Sequence, residues 1–460
     1  MSAVVLFASC AAPPAGELAD AGSGAAPEKR PLMLIGLARR DVTPEQPIRL
    51  SGYGARRRES EGVAQRLWAK ALAIGEQDRP ALLVSVDNCG VPAAITEEVA
   101  RRLNAKTGLP RERFTLCSSH THAGPCLGGA LATLFGGPIP ADQQERIDRY
   151  TARLTDLIEQ AALDALADRR PGRVSWAEGR AGFAANRRAV KDGKYVGFGV
   201  NPDGPVDHTL PMLAISGPDG RLRAVVVNYA CHCTTLEANF NQVCGDWAGF
   251  VQEYVERAHP GSLCLVTIGC GADANPNPRG RLEDAQRHAR EIADEVDRLL
   301  KGSLRPLSEP PVCRFERIRL PYDRVPSRTE WERRAKGTRA AAYHASLQLA
   351  RLDRGEALPT ELSYPVQTWA FGGDLNMIFL GGEVVVDYAL ALRKEFASRR
   401  LWVTAYANDV PCYIPSRRIL SEGGYEADES MIYYDRPARL APAVEELILG
   451  SVRRLMAEGK

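Results

Sequence analysis

Short apolar runs that each stop at a turn-rich motif, then give way to a helical pattern, set the fold class of this chain. Residues 81–86 (ALLVSV), 224–229 (AVVVNY) and 263–268 (LCLVTI) are such runs. Strand-length stretches rich in valine and isoleucine, followed by apolar residues at three- and four-residue spacing, describe strands alternating with helices. The spacing predicts helices over 141–166, 247–259, 282–300 and 441–456. Another runs from about 328 to 354, opened by a capping box of Ser327 and Glu330. Being rich in Arg and Ala, it reads as a solvated surface insertion. The expected fold is α/β: a single domain of mixed β-sheets flanked by helices, with the functional site in loops at strand ends. No internal repeat stands out, and the Pro-rich stretch 304–311 is the candidate seam between two halves of one unit.

The first nine residues, MSAVVLFAS, are apolar up to Cys10, and the next twenty are small and rich in Pro and Gly. Small residues before a cysteine fit a bacterial lipoprotein signal, lipidated at Cys10 and followed by a flexible tether. Residues 1–31 are therefore set apart from a folded 32–460. The expectation is an exported protein of the cell envelope or periplasm, touching the membrane only through this anchor. No later stretch reaches the ~18 apolar residues of a membrane span. With 59 Lys+Arg against 57 Asp+Glu, the net charge of +2 offers no field of one sign for a nucleic-acid backbone. Nucleic acid is excluded as a partner, and a neutral small molecule, lipid-like or sugar-like, is expected instead.

Only seven histidines are present, and three stand in unusual surroundings. In TLCSSHTHAGP (115–125) an apolar stretch runs into His120 and His122. If the strand persists, both side chains share a face and one metal sees both. Neutral imidazole suits Zn²⁺, although two surface histidines in a turn is the competing reading. NYACHCTT (228–235) repeats the design and offers His232 as a third ligand. Cys231 and Cys233 face away from it on an extended chain and read as packing groups or disulfide halves. Asp246 precedes a predicted helix and is expected to cap it. The loop GCGADANPNPR (269–279) presents Asp273, Asn275 and Asn277, which turn chemistry alone also explains. Further on, an apolar strand ends at Glu383 after two glycines, where a carboxylate is costly unless paired or metal-bound. A fifth strand end leads to Tyr413. Five loops thus carry His-x-His, His, Asp/Asn, Glu and Tyr in order.

That order of motifs resembles the neutral/alkaline non-lysosomal ceramidase family, zinc-dependent amidases that cleave the N-acyl bond of ceramide. The likeness begins at Leu50-Ser-Gly-Tyr-Gly54 and Arg66-Leu-Trp-Ala-Lys-Ala71. It continues through the 119–125 motif, Asn186-Arg187, His232, the 271–277 loop, Gly382-Glu383, Tyr413 and Tyr425-Glu426. The resemblance implies Zn²⁺ held by His120, His232, Glu383 and Tyr413. It places His122 and Arg187 beside the metal, where they would polarise the scissile carbonyl and hold the oxyanion. It also implies a catalytic domain over 32–460 without the family's C-terminal immunoglobulin-like domain. One departure concerns the substrate: Asn275 stands where the family has a serine, and an amide is neither nucleophile nor proton donor.

The expected activity is zinc-dependent hydrolysis of an amide or ester acyl bond by metal-activated water. Arg187 and Tyr413 would stabilise the oxyanion, with His122 or Asp273 moving protons. Two alternatives accompany it. One is a metal-dependent hydrolase of another bond, such as a glycoside or acylated sugar, with Asp273 as the acid. The other is an inactive metal-binding lipoprotein in which Asn275 marks lost catalysis.

Overall fold

The larger sheet follows from strands buried on both faces. The structure, a computed structural model, describes residues 32–457; the expected signal, tether and Cys10 lie outside them. Hydrogen-bonded strands run in the order Leu263–Ile268, Leu222–Tyr229, Thr209–Ser216, Arg170–Arg180, Met33–Asp41, Trp68–Gly75, Pro80–Val86, Phe114–Ser118. Neighbours are antiparallel except at the two ends of this path, where the outermost pairs are parallel. One set of alternating side chains, including Ile35, Leu83, Trp176, Ile215 and Val226, meets Phe371, Met377 and Trp402 of a second sheet. The opposite set packs on helices: Val84 and Leu116 with Val99 and Leu154, and Val227 and Val266 with Trp247, Val251 and Ile292. Burial on both faces is why these strands read as continuous apolar runs in the sequence.

The second sheet orders Val312–Pro321, Glu361–Phe371, Leu375–Leu380 and Leu401–Thr404, the last two parallel. The first sheet curls until its ends approach each other. Lys70 Nζ donates to the Cys264 carbonyl at 2.9 Å, and Ser85 Oγ to that of Val266. The loops leaving Phe114–Ser118, Leu222–Tyr229 and Leu263–Ile268 therefore emerge side by side. The second sheet adds its own loops there, since Ala405 N–H bonds the Ile268 carbonyl at 2.8 Å and Ala407 bridges to Cys117. Curling of the first sheet and the contacts of the second sheet's loops with it turn five distant strand ends into one site.

Helices form at Ala141–Ala167, Asp246–Ala258, Leu282–Leu300 and Val444–Ala457, within a few residues of expectation. The segment expected as one helix from 328 to 354 is two, Arg328–Ala335 and Arg339–Asp353, parted around Gly337, where a helix interior is least favourable. Ser327 and Glu330 make the reciprocal capping box. This hairpin is more than a solvated insertion, because Trp331, His344 and Gln348 are buried and its inner face packs on the turn Glu429–Tyr434. The Pro-rich 304–311 lies against the first sheet, Arg305–Pro306 pairing with Trp176 and Ser175, and passes the chain to the second sheet. Among the described residues no helix is long and apolar enough to cross a membrane.

Candidate metal centre

The strand Phe114–Ser118 stops before the histidines, and His120 adopts a left-handed φ of 56°. The shared strand face expected for His120 and His122 therefore does not exist. A turn brings them together instead: Thr121 bridges to Cys233, and His122 N–H donates to the Cys233 carbonyl at 3.2 Å. Both histidine-bearing segments are thereby laid alongside each other. Two glycines permit the approach. A Cβ on Gly52, whose φ is +86°, would sit 2.4 Å from the His122 ring. One on Gly271 would meet the Ala230–Cys231 backbone at 2.4–2.5 Å. Glu383 and Tyr413 are direct partners in a two-stranded parallel pair.

His120 Nδ1 contacts the Cys89 carbonyl at 2.5 Å, and His232 Nδ1 contacts that of Gly271 at 3.0 Å. A carbonyl only accepts, so Nδ1 carries the proton in each ring and Nε2 presents its lone pair. Those Nε2 atoms lie 3.2 and 3.0 Å from Glu383 Oε2. This carboxylate oxygen is buried and has no hydrogen bond. Three acceptors turned on one another, their ligating atoms within 4.8 Å, are a donor set for a cation, and two imidazoles with a carboxylate suit zinc. Backbone carbonyls fixing the far nitrogen of each ring are the outer support such ligands require. The Tyr413 hydroxyl is 3.3 Å from His232 Nε2, and His122 Nε2 is 3.1 Å from His120 Nε2.

Electrostatics divide the three rings. Burial would lower His120, but the Glu383 carboxylate carries it up to about 10, so Nε2 holds a proton that it gives up on ligating a cation. Burial, then Arg187, pushes His232 down to about 3. Burial and the two neighbouring imidazoles hold His122 well below the usual range, so it is neutral. Burial opposes the charge on Glu383, yet His120 and His232 keep its carboxyl well below the carboxylate range.

Arg187 links this cluster to the 271–277 loop. Its Nη2 donates to the Tyr413 hydroxyl at 3.0 Å, Nη1 to Asn275 Oδ1 at 3.2 Å and Nε to Glu426 Oε1 at 2.9 Å. Thr234 Oγ1 also donates to Asn275 Oδ1, at 3.2 Å. The Asn275 side chain thus faces Arg187 beside the cluster. Asp273 does not share that direction. Its wholly buried carboxylate accepts from Val386 N–H at 2.9 Å and from Asn186 Nδ2 at 3.4 Å, while Arg418 stands 3.7 Å away. Its carbonyl accepts from Arg187 N–H, so Asp273 positions the loop. Asn277 is exposed.

Asp246 is not the outer cap expected of it. It opens the helix with φ 54°, and its carboxylate accepts from the backbone N–H of Leu236 and Trp247 at 2.9 and 2.6 Å. Trp247 Nε1 in turn bonds the His232 carbonyl at 2.9 Å, so this pair anchors the His232 loop. Cys231 and Cys233 are free buried thiols, not disulfide halves. Sequence reasoning missed Tyr434, whose hydroxyl donates to Glu383 Oε1. It also missed Tyr406, stacked on His120 at 4.2 Å, and the bridging role of Glu426, which accepts from Arg188 as well as Arg187. The aromatic run around 425–434 was the available signal.

Two packed sheets whose strand ends converge on imidazoles, a carboxylate and a phenol define an α/β domain with a candidate metal centre. The chain belongs to the neutral/alkaline non-lysosomal ceramidase family, residues 33–266 matching its N-terminal part. Its fold is similar to that of the neutral ceramidase from Pseudomonas aeruginosa, with a TM-score of 0.70 and 18% identity over 93% of this chain and 75% of that one. A ceramidase complexed with C2 gives a TM-score of 0.70 and 16% identity, over 92% of this chain and 76% of that one.

Proposed function

We propose that the protein is a zinc-dependent hydrolase of an N-acyl bond in a ceramide-like lipid. The observation that carries this reading is the convergence of His120 Nε2, His232 Nε2 and Glu383 Oε2, with both Nδ1 atoms tied to backbone carbonyls. Family membership supports the reaction class, and a solved relative complexed with C2 supports a lipid substrate. His120, His232 and Glu383, with Tyr413 beside them, would hold the ion. Bound zinc supplies Lewis acidity and lowers the pKa of a water to about 7.

The chain's own residues supply the rest. Arg187 Nη2 and the Tyr413 hydroxyl, 3.0 Å apart, are placed to donate to the oxygen that gains charge as the acyl carbon becomes tetrahedral. His122, neutral where it is buried beside His120, would hydrogen-bond the hydrolytic water and relay its proton toward the leaving amine. Asn275, held by Arg187 and Thr234, binds substrate through its amide. The glycosidase alternative drew on Asp273 as acid; that carboxylate is occupied by Val386, and no observation favours this reading. Export with lipidation at Cys10 belongs to the proposal, and metabolic labelling with a fatty acid, lost in Cys10→Ala, tests it.

The deciding assay offers zinc-loaded protein a short-chain ceramide, a matching ester and a glycoside panel, with product identified by mass spectrometry. Free fatty acid, abolished in Arg187→Ala, is the expected product. Sugar release without fatty acid would contradict the proposal. Inertness of the zinc-loaded protein and of Asn275→Ser on all substrates would contradict it equally.

A further inference from the structure

The segment after Arg187 forms a hairpin whose outward face the site chemistry leaves unexplained. Strands Arg188–Lys191 and Lys194–Phe198 pair only with each other. Asp192 and Gly193 join them, both at positive φ, the tight connection that suits strand twist. Nine large hydrophobic residues are exposed among the described residues, and four of them, Val190, Val196, Phe198 and Val200, fall in this one segment. Single exposed hydrophobics need no explanation, whereas a concentration of them marks an interaction surface.

Val196, Phe198 and Val200 follow one another at the end of this hairpin and are 63%, 56% and 61% exposed. Tyr195 lies under the Arg188 guanidinium at 4.8 Å and meets the Phe198 ring edge-on at 6.1 Å. Phe198 joins this face to the candidate site, its ring meeting Tyr425 edge-on at 4.9 Å and the Arg187 guanidinium at 5.1 Å. Exposed Lys191 and Lys194 flank the turn and outnumber Asp192 between them. Aliphatic and aromatic side chains bordered by lysines and a tyrosine are the composition that settles at a membrane interface, with apolar groups among acyl chains and ammonium groups at phosphates.

We propose that this hairpin docks the protein on a lipid surface through Val196, Phe198 and Val200, with Lys191 and Lys194 at the phosphates. The docked surface abuts Arg187 and so delivers a lipid substrate to the site. This inference rests on the lipid reading of the function, but its test needs no turnover.

The full chain is co-sedimented with phosphatidylcholine vesicles, with and without phosphatidylglycerol, beside the double variant Val196→Ser/Val200→Ser. Neither valine touches the candidate metal centre. The expected result is binding by the native chain, stronger with phosphatidylglycerol. A fall of at least about tenfold is expected in the variant, with melting temperature and metal content unchanged. Equal binding by both proteins, or no binding by the native chain, would overturn the proposal. So would a dimer of the native chain that the variant breaks, since the face would then serve a second copy. Vesicle binding without hydrolysis would leave docking intact and sink the assigned activity alone.

Discussion

Replacing Tyr434 by phenylalanine removes one oxygen and leaves the ring. That oxygen is the donor to Glu383 Oε1, while Oε2 faces the two imidazoles. Glu383 is 3% exposed, so water has little access to replace the lost donor. A hydrogen bond to a buried charge contributes about 1.5–3 kcal/mol, and each 1.4 kcal/mol is tenfold in an equilibrium constant. Expressed in metal binding, the substitution lowers zinc affinity about ten- to a hundredfold, the range typical of outer partners of a metal ligand. The remaining ring still packs against Tyr413 at 6.2 Å, so the fold is retained. Titration against a competing zinc chelator, with circular dichroism on the same samples, measures both. An unchanged affinity in a folded variant would refute the reasoning, because either Glu383 is not a ligand or Tyr434 does not orient it.

Three other perturbations separate the parts of the site. Glu426→Gln leaves the buried guanidiniums of Arg187 and Arg188 without a shared carboxylate, and denaturant unfolding should show a loss of about 3–5 kcal/mol; unchanged stability would contradict the bridging role. Burial, then the charge of Asp387, raises the Asp273 carboxyl to about 7. An acid raised on folding contributes stability at low pH that is lost as pH rises, so unfolding free energy falls between about pH 4 and 7. Asp273→Asn should flatten that part of the pH profile, and an identical profile would count against it. Gly52→Ala forces a Cβ onto the His122 ring at a positive φ, so it should destabilise by more than about 1 kcal/mol and lower kcat, read by thermal unfolding and steady-state kinetics.

Strand ends were legible because strands buried on both faces leave unbroken apolar runs, and turn-forming residues mark where each run stops. Residue type singled out His120, His232, Glu383 and Tyr413, which the structure brings together, and the order of motifs pointed to the family. Geometry was less so. His120 sits in a left-handed turn that a period-two pattern does not represent, so the convergence with His122 has a different cause from the one expected. Asp273 looked like a functional acid by type and position, but its direction depends on Val386, more than a hundred residues away. Tyr434 and Glu426 act through long-range pairs, to Glu383 and to Arg187, that the aromatic run around them marks only by composition. The break at Gly337 was written in the sequence as a single glycine inside an otherwise helical pattern, outweighed there by the capping box and the alanine-rich flanks.

Metal content decides the central claim. After exchange into zinc and removal of free ion, mass spectrometry of the native chain should find about one zinc per protein, the content of a single tetrahedral site. His120→Ala and His232→Ala should each lose most of that zinc, and hydrolysis with it, while keeping the native circular dichroism. Undiminished zinc in both folded variants would contradict the account.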